Sequence, residues 1–193
     1  FTGSSSVNTL TIKPNIGKDV SIAATGLNSF TGAPAAILIK GADNIIIDGS
    51  NTANGTSKNL TILTDDNIGY LNRTAVWIAS DTNNGVAGVS VVNSVIKMTN
   101  RNQEQQFCGG ILTGAYNVGS NNDLVVATAT AVNTNLVFSN NEFVNVRQAI
   151  WVSGSTSSSK RTSNLTISSN IMGSITDTQK PSYAMYILNA DTF

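Results

Sequence analysis

The strongest constraint on how this chain can fold is a short signature that returns five times. Ala35-Ala36-Ile37-Leu38-Ile39, Thr74-Ala75-Val76-Trp77-Ile78, Gly109-Gly110-Ile111-Leu112-Thr113, Gln148-Ala149-Ile150-Trp151-Val152 and Tyr183-Ala184-Met185-Tyr186-Ile187 align without gaps. The small residue in each (Ala36, Ala75, Gly110, Ala149, Ala184) recurs at steps of 39, 35, 39 and 35 residues. A period of that size marks a repeat architecture, in which each unit is one supersecondary element that buries its apolar face only by stacking on its neighbours. Sandwich strands reverse direction and do not bring one motif back to one place at so regular an interval.

Two further strand-like runs follow each of the first four signatures, separated by turn residues. They are Asn44-Ile45-Ile46-Ile47-Asp48 and Asn59-Leu60-Thr61-Ile62-Leu63, then Val89-Ser90-Val91-Val92 and Val95-Ile96-Lys97-Met98. Asn135-Leu136-Val137-Phe138 with Glu142-Phe143-Val144, and Asn164-Leu165-Thr166-Ile167 with Ile171-Met172, complete the series. The spacing predicts an all-β parallel solenoid of about five coils with three short strands each. Repeat units fall at 35–73, 74–108, 109–147 and 148–182, after a partial coil over 1–34 and before the start of another over 183–193. In units two to four a tight corner carrying Asn93, Asn141 or Asn170 precedes the third strand. There Asn is expected to accept a left-handed backbone and to bond neighbouring main chain. Stacked Asn side chains can also bond one another along the axis. The stretches 49–58, 99–107, 114–134 and 153–163 read as insertions that bulge outward.

Composition agrees with this. The chain holds 25 Asn, 22 Thr and 22 Ser, over a third of its 193 residues, yet only 11% are charged. Asn and Ser favour turns, while Thr, Val and Ile favour strands. Low charge suits a stack in which equivalent side chains lie about 4.8 Å apart, since like charges there would repel. The formal charge is zero, which argues against nucleic acid as a partner. No His is present, which removes His-based triads and His-ligated zinc. The single Cys108 leaves no intrachain disulfide and reads as a small buried thiol. No run of 18 apolar residues spans a membrane. Both ends of the chain read as cut from a longer protein.

Leu10-Thr11-Ile12-Lys13-Pro14, Ile37-Leu38-Ile39-Lys40-Gly41-Ala42-Asp43-Asn44-Ile45-Ile46-Ile47-Asp48-Gly49-Ser50, Lys58-Asn59-Leu60-Thr61-Ile62, Phe138-Ser139-Asn140-Asn141-Glu142-Phe143 and Ile150-Trp151-Val152-Ser153-Gly154 resemble right-handed parallel β-helix domains of the pectate-lyase-like type. More narrowly, they are similar to repeat regions of very large secreted or surface-anchored proteins of Bacteroidetes-type bacteria. The resemblance implies export by the type IX route, display on the cell surface as an adhesin, and in some members a link to gliding motility. It implies as partners the secretion machinery, a polysaccharide or cell-surface glycan, and further β-helix coils or a capping domain.

The same fold carries lyases, hydrolases, adhesins and passive stalks, so function rests on particular residues. Asp65-Asp66 is the one adjacent acidic pair, with Arg73 further along. It reads as a solvated turn, as a Ca²⁺ site with oxygen ligands, or as a pair sharing a proton. Val76-Trp77-Ile78-Ala79-Ser80-Asp81 is similar to the aromatic-aliphatic-acid string of pectate lyases, but Ala79 and Ser80 stand where an Asp-His pair is expected. Arg101 with Glu104, and Glu142 with Arg147, read as surface ion pairs; Arg101 and Arg147 are also the candidates for a lyase base. No motif demands an enzyme, and no cofactor beyond that Ca²⁺ is indicated. Trp77, Trp151 and Tyr186 occupy one position of the repeat, with Leu38 and Leu112 in the other two units. Strand alternation sets this position opposite Val76 and Ile150. The aromatics then form either an outward column suited to sugar rings or a set covered by core or loop. The expected role is a non-catalytic stalk or adhesive module contacting glycans. The alternative is a polysaccharide lyase or glycoside hydrolase with its site here or in other coils. With no apparent cap at either end, the region is expected to continue into further coils or to dock on a partner, and the isolated segment to aggregate through its open strand edges.

Overall fold

The computed structural model describes residues 7–24, 34–64, 72–99, 107–119, 124–173 and 180–192. The chain is all-β and its sheets are parallel. A first passage lays down β1 (Leu10–Ile12), β2 (Val20–Ala24) and β3 (Ala35–Lys40). The second adds β4 (Ile45–Asp48), β5 (Leu60–Thr64) and β6 (Arg73–Ser80), and the third β7 (Val89–Val92), β8 (Ser94–Met98) and β9 (Cys108–Ala115). The fourth adds β10 (Thr134–Ser139), β11 (Glu142–Val144) and β12 (Gln148–Ser153), and β13 (Ser163–Ser168) and β14 (Tyr183–Leu188) follow. The three sheets run β1-β4-β7-β10-β13, β11-β8-β5-β2 and β14-β12-β9-β6-β3. Each strand therefore pairs with the strand that held its place one passage earlier, an order consistent with a parallel β-helix. Where a third strand was expected at Ile171-Met172, a single bridge from Ile171 to Glu142 stands instead.

The five signatures lie over one another in register. Ile37 pairs with Val76, Val76 with Ile111, Ile111 with Ile150 and Ile150 with Met185. Val76, Ile111 and Ile150 are fully buried and join Ile47, Ile62, Val91, Ile96, Phe138 and Phe143 from the other two sheets in one apolar core. Each such side chain contributes about 1.5–3 kcal/mol relative to an exposed position. Trp77 and Leu112 belong to a second cluster with Phe107 and Leu124, on the opposite face of the third sheet, as alternation requires.

A polar residue interrupts one of the inward columns of the third sheet. Thr113 pairs with Ile78 and Val152, both core residues, and its buried hydroxyl has no hydrogen-bond partner. An orphaned buried hydroxyl costs about 1–3 kcal/mol. Thr113→Val is therefore expected to stabilise the fold by about 1–2 kcal/mol. A higher urea midpoint at unchanged slope is the readout, and a lower midpoint would refute the assignment.

The corners divide into two jobs. Asn93 is left-handed (φ 55°) as expected, but in the following passages Asn140 (φ 53°) and Ser169 (φ 55°) take that conformation, not Asn141 and Asn170. The correction is one of register. The residue opposite Asn93 is the first after the strand, Asn140, because the Asn93 N–H donates to the Ser139 carbonyl at 3.1 Å. Asn141 and Asn170 come one residue later and turn inward to bond main chain of the preceding passage. The Asn141 amide donates to the Val91 carbonyl at 2.8 Å, and its oxygen accepts the Ser94 N–H at 3.1 Å. Asn170 repeats this with the Phe138 carbonyl (2.8 Å) and the Asn141 N–H (2.9 Å). Axial bonding between side chains is present in the left-handed column: the Asn140 amide donates to Asn93 Oδ1, and that of Asn93 to Asp48 Oδ1, each at 2.8 Å. Burial pushes the Asp48 carboxyl up. The bonds from Asn93, the Ser50 N–H and Lys13 outweigh that and hold it below its ordinary value.

Candidate aromatic groove

The outward column of the third sheet runs Leu38, Trp77, Leu112, Trp151, Tyr186, paired strand to strand. Its middle is roofed by the insertion that follows β9. Tyr116 starts this roof, donating its N–H to the Ser80 carbonyl at 2.8 Å, and its ring stacks on Trp77 at 5.2 Å between centroids. Lys40 Nζ lies 4.1 Å from the Tyr116 centroid and pairs with Asp81 at 3.2 Å, so the ring is held between a cation and an indole. Further along, the Ala129 N–H donates to the Ser153 carbonyl at 2.9 Å and the Thr130 N–H to Ser80 Oγ at 3.0 Å. Trp77 is 0% exposed under this cover and Leu112 is buried with it.

Beyond the roof the column opens. Trp151 is half-buried and Tyr186 is 38% exposed. Parallel pairing holds equivalent residues one strand apart, and the two rings stack at 3.9 Å with 20° between planes. Phe107 meets Trp151 edge-on at 5.5 Å and 88°. It has room because its neighbour is Gly109, where a Cβ would overlap the Phe107 ring. These rings, with Tyr183, Val125, Val126, Asn72, Arg147 and Gln148, bound an open groove of about 400 Å³. Asn72 ties two of its walls together: its amide donates to the Leu124 carbonyl at 2.9 Å, and its oxygen accepts the Phe107 N–H at 2.6 Å.

Of the three aromatics singled out in the sequence, Trp151 and Tyr186 meet at the groove, while Trp77 lies under the insertion. Arg147 sits on the groove wall. Asp65, Asp66, Arg101 and Glu104 lie outside the described residues. The carboxylates of several described acids are engaged in structural bonds. Asp48 bonds Lys13, Asn93 and Ser50, Asp81 bonds Lys40 and Thr82, and Asp191 bonds Arg161. The Thr82 N–H, then Lys40, holds the Asp81 carboxyl below its ordinary value. Phe107, Tyr183 and the valines of the roof were not visible as site residues. Gly109, which leaves space for the Phe107 ring beside the sheet, is the sequence signal that could have found Phe107.

Such a groove offers apolar ring faces and edges bordered by amide and guanidinium side chains, a combination suited to a flat ligand with CH faces and hydroxyl rims. Comparison with protein-family models, curated proteins and solved structures finds no match. Among the described residues no helix is long and apolar enough to cross a membrane, and no cluster of three or more His, Cys, Asp or Glu could hold a metal.

Proposed function

We propose that the chain is a right-handed parallel β-helix, a non-catalytic stalk or adhesive module of a large secreted protein displayed on a bacterial surface, and that it contacts glycans through the aromatic groove. The strand order supports the solenoid, since the chain visits three parallel sheets in turn and returns in register to each. The groove carries the glycan reading: a stack of Trp151 and Tyr186, flanked by Phe107 and Tyr183, opens outward beside Asn72, Arg147 and Gln148. Partners on this reading are a polysaccharide or surface glycan, further coils or a cap, and, in the type IX route, the export machinery. Ca²⁺ at Asp65 and Asp66 belongs to the same proposal.

The test is affinity electrophoresis through gels loaded with neutral or acidic polysaccharides, comparing the wild type with Tyr186→Ala. Losing one aromatic contact is expected to weaken binding by about 2- to 13-fold, since such contacts contribute about 0.5–1.5 kcal/mol. Tyr186 is the better probe because it is exposed, so its loss leaves the fold intact. No retardation by any polysaccharide, or retardation indifferent to Tyr186→Ala, would sink the glycan reading.

A further inference from the structure

The sequence holds two Asn-Gly pairs, Asn54-Gly55 and Asn84-Gly85, and both asparagines are exposed. Before Gly, an Asn side chain is open to attack by the next main-chain nitrogen, because no Cβ stands in the way. The fold treats the two pairs differently. At the first, the Gly55 N–H donates to the Thr52 carbonyl at 3.2 Å, and the Gly55 carbonyl accepts the Asn93 amide at 3.3 Å. Buried Ser50 ties the same loop together, its Oγ lying 3.2 Å from both Thr52 Oγ1 and Ser57 Oγ. At the second, among the described residues neither the Gly85 N–H nor the side-chain amide of Asn84 has a hydrogen-bond partner. The Asn84 carbonyl accepts the Asp81 N–H at 2.8 Å, which draws electrons from the Asn84–Gly85 peptide and makes the Gly85 N–H more acidic. Packing also keeps the reactive neighbour in place, since a Cβ at Gly85 would overlap the Val132 carbonyl oxygen.

We propose that Asn84 is a modification site, where the folded chain deamidates itself through a cyclic imide. The Gly85 nitrogen bonds Asn84 Cγ and gives up its proton. The Cγ–Nδ2 bond breaks, and Nδ2 leaves with that proton as ammonia. Water then opens the ring at either carbonyl, leaving aspartate or, where the main chain now runs through Cγ, isoaspartate. The sum is amide plus water to carboxylic acid plus ammonia, with no oxidant or cofactor. The exposed side chain does the moving, while the paired bonds between Asp81 and Asn84 pin the main chain. Asn84 and Asp81 meet over Gly41, where a Cβ would lie 3.2 Å from Asn84 Cβ and 3.6 Å from Asp81 Cβ. The new carboxylate therefore competes with Asp81 for Lys40, the cation over the Tyr116 ring where the roof begins. The step needs no ligand and stands apart from glycan binding.

The two pairs serve as each other's control. The whole chain is held at mildly alkaline pH, folded and in parallel unfolded in urea, and peptide mapping by mass spectrometry follows each Asn. In urea both pairs are freed from the fold and are expected to deamidate at equal rates. In the folded chain Asn84 is expected to react about tenfold faster than Asn54, whose Gly55 N–H must first leave its bond to Thr52. Labelling by an isoaspartyl methyltransferase is expected on the Asn84 peptide. In Asn84→Gln the ring would be larger, and no carboxylate is expected at this position on the same timescale. An Asn84 that stays an amide in the folded chain, or reacts no faster than Asn54, overturns the proposal. So does a carboxylate that forms as fast in Asn84→Gln.

Discussion

Asn141→Ala is expected to lower stability by about 3–4 kcal/mol, although the side chain lost is short and uncharged. Asn141 is fully buried, and both halves of its amide are spent on main chain of the neighbouring passage. Removing it strands the Ser94 N–H and the Val91 carbonyl. Each buried orphan costs about 1–3 kcal/mol, whereas the net worth of an ordinary hydrogen bond is about 1 kcal/mol. Asn170 makes the equivalent pair of bonds one passage later but is only half-buried. Water can reach the groups it would strand, and Asn170→Ala is expected to cost about half as much. Urea unfolding of both variants measures this. A cost below 1 kcal/mol at Asn141, or a larger one at Asn170, would show that these amides are not what closes the corner.

Those two residues also mark where the sequence stops being readable. The five signatures set the register of the third sheet, because Ile37, Val76, Ile111 and Ile150 can share one dry interior only if they lie one above another. Alternation then assigned Trp77, Trp151 and Tyr186 to the other face. Neither rule reaches the corners. Asn93-Ser94, Asn140-Asn141 and Ser169-Asn170 are adjacent polar pairs, and which member turns left-handed depends on where the strand before it ends, a matter of one residue. The groove was legible only as a column of rings. Its far wall comes from the insertion after β9, whose path follows from particular bonds, such as Tyr116 to Ser80 and Asn72 to Leu124, and from no period in the sequence. So Trp77 and Trp151 carry the same signature, and one is buried while the other lines an open groove.

The corner of the first repeat unit holds a position with little tolerance. Gly49 stands in the column that continues as Asn93 and Asn140, donating its N–H to the Val92 carbonyl at 2.9 Å. It is not among the glycines with positive φ, so conformational freedom does not explain it. Space does: a Cβ at Gly49 would overlap the carbonyl oxygen of Asn93 and lie 2.9 Å from Ser94 Cα. These are main-chain atoms held in place by the bonds of Asn93 to Asp48 and of Asn141 to Ser94. No side-chain rotation relieves the overlap, and β4 and β7 must separate at this end. Gly49→Ala is therefore expected to cost about 3–4 kcal/mol, the upper end for overpacking by one methyl group. Gly17 provides the contrast, with φ +71° and open space where its Cβ would lie. Gly17→Ala meets only the strain of a left-handed backbone, about 1–2 kcal/mol. Thermal melts of the two variants separate steric from conformational demand. If Gly49→Ala melts no lower than Gly17→Ala, the passages are not held as closely at this corner as the carbonyl contact requires.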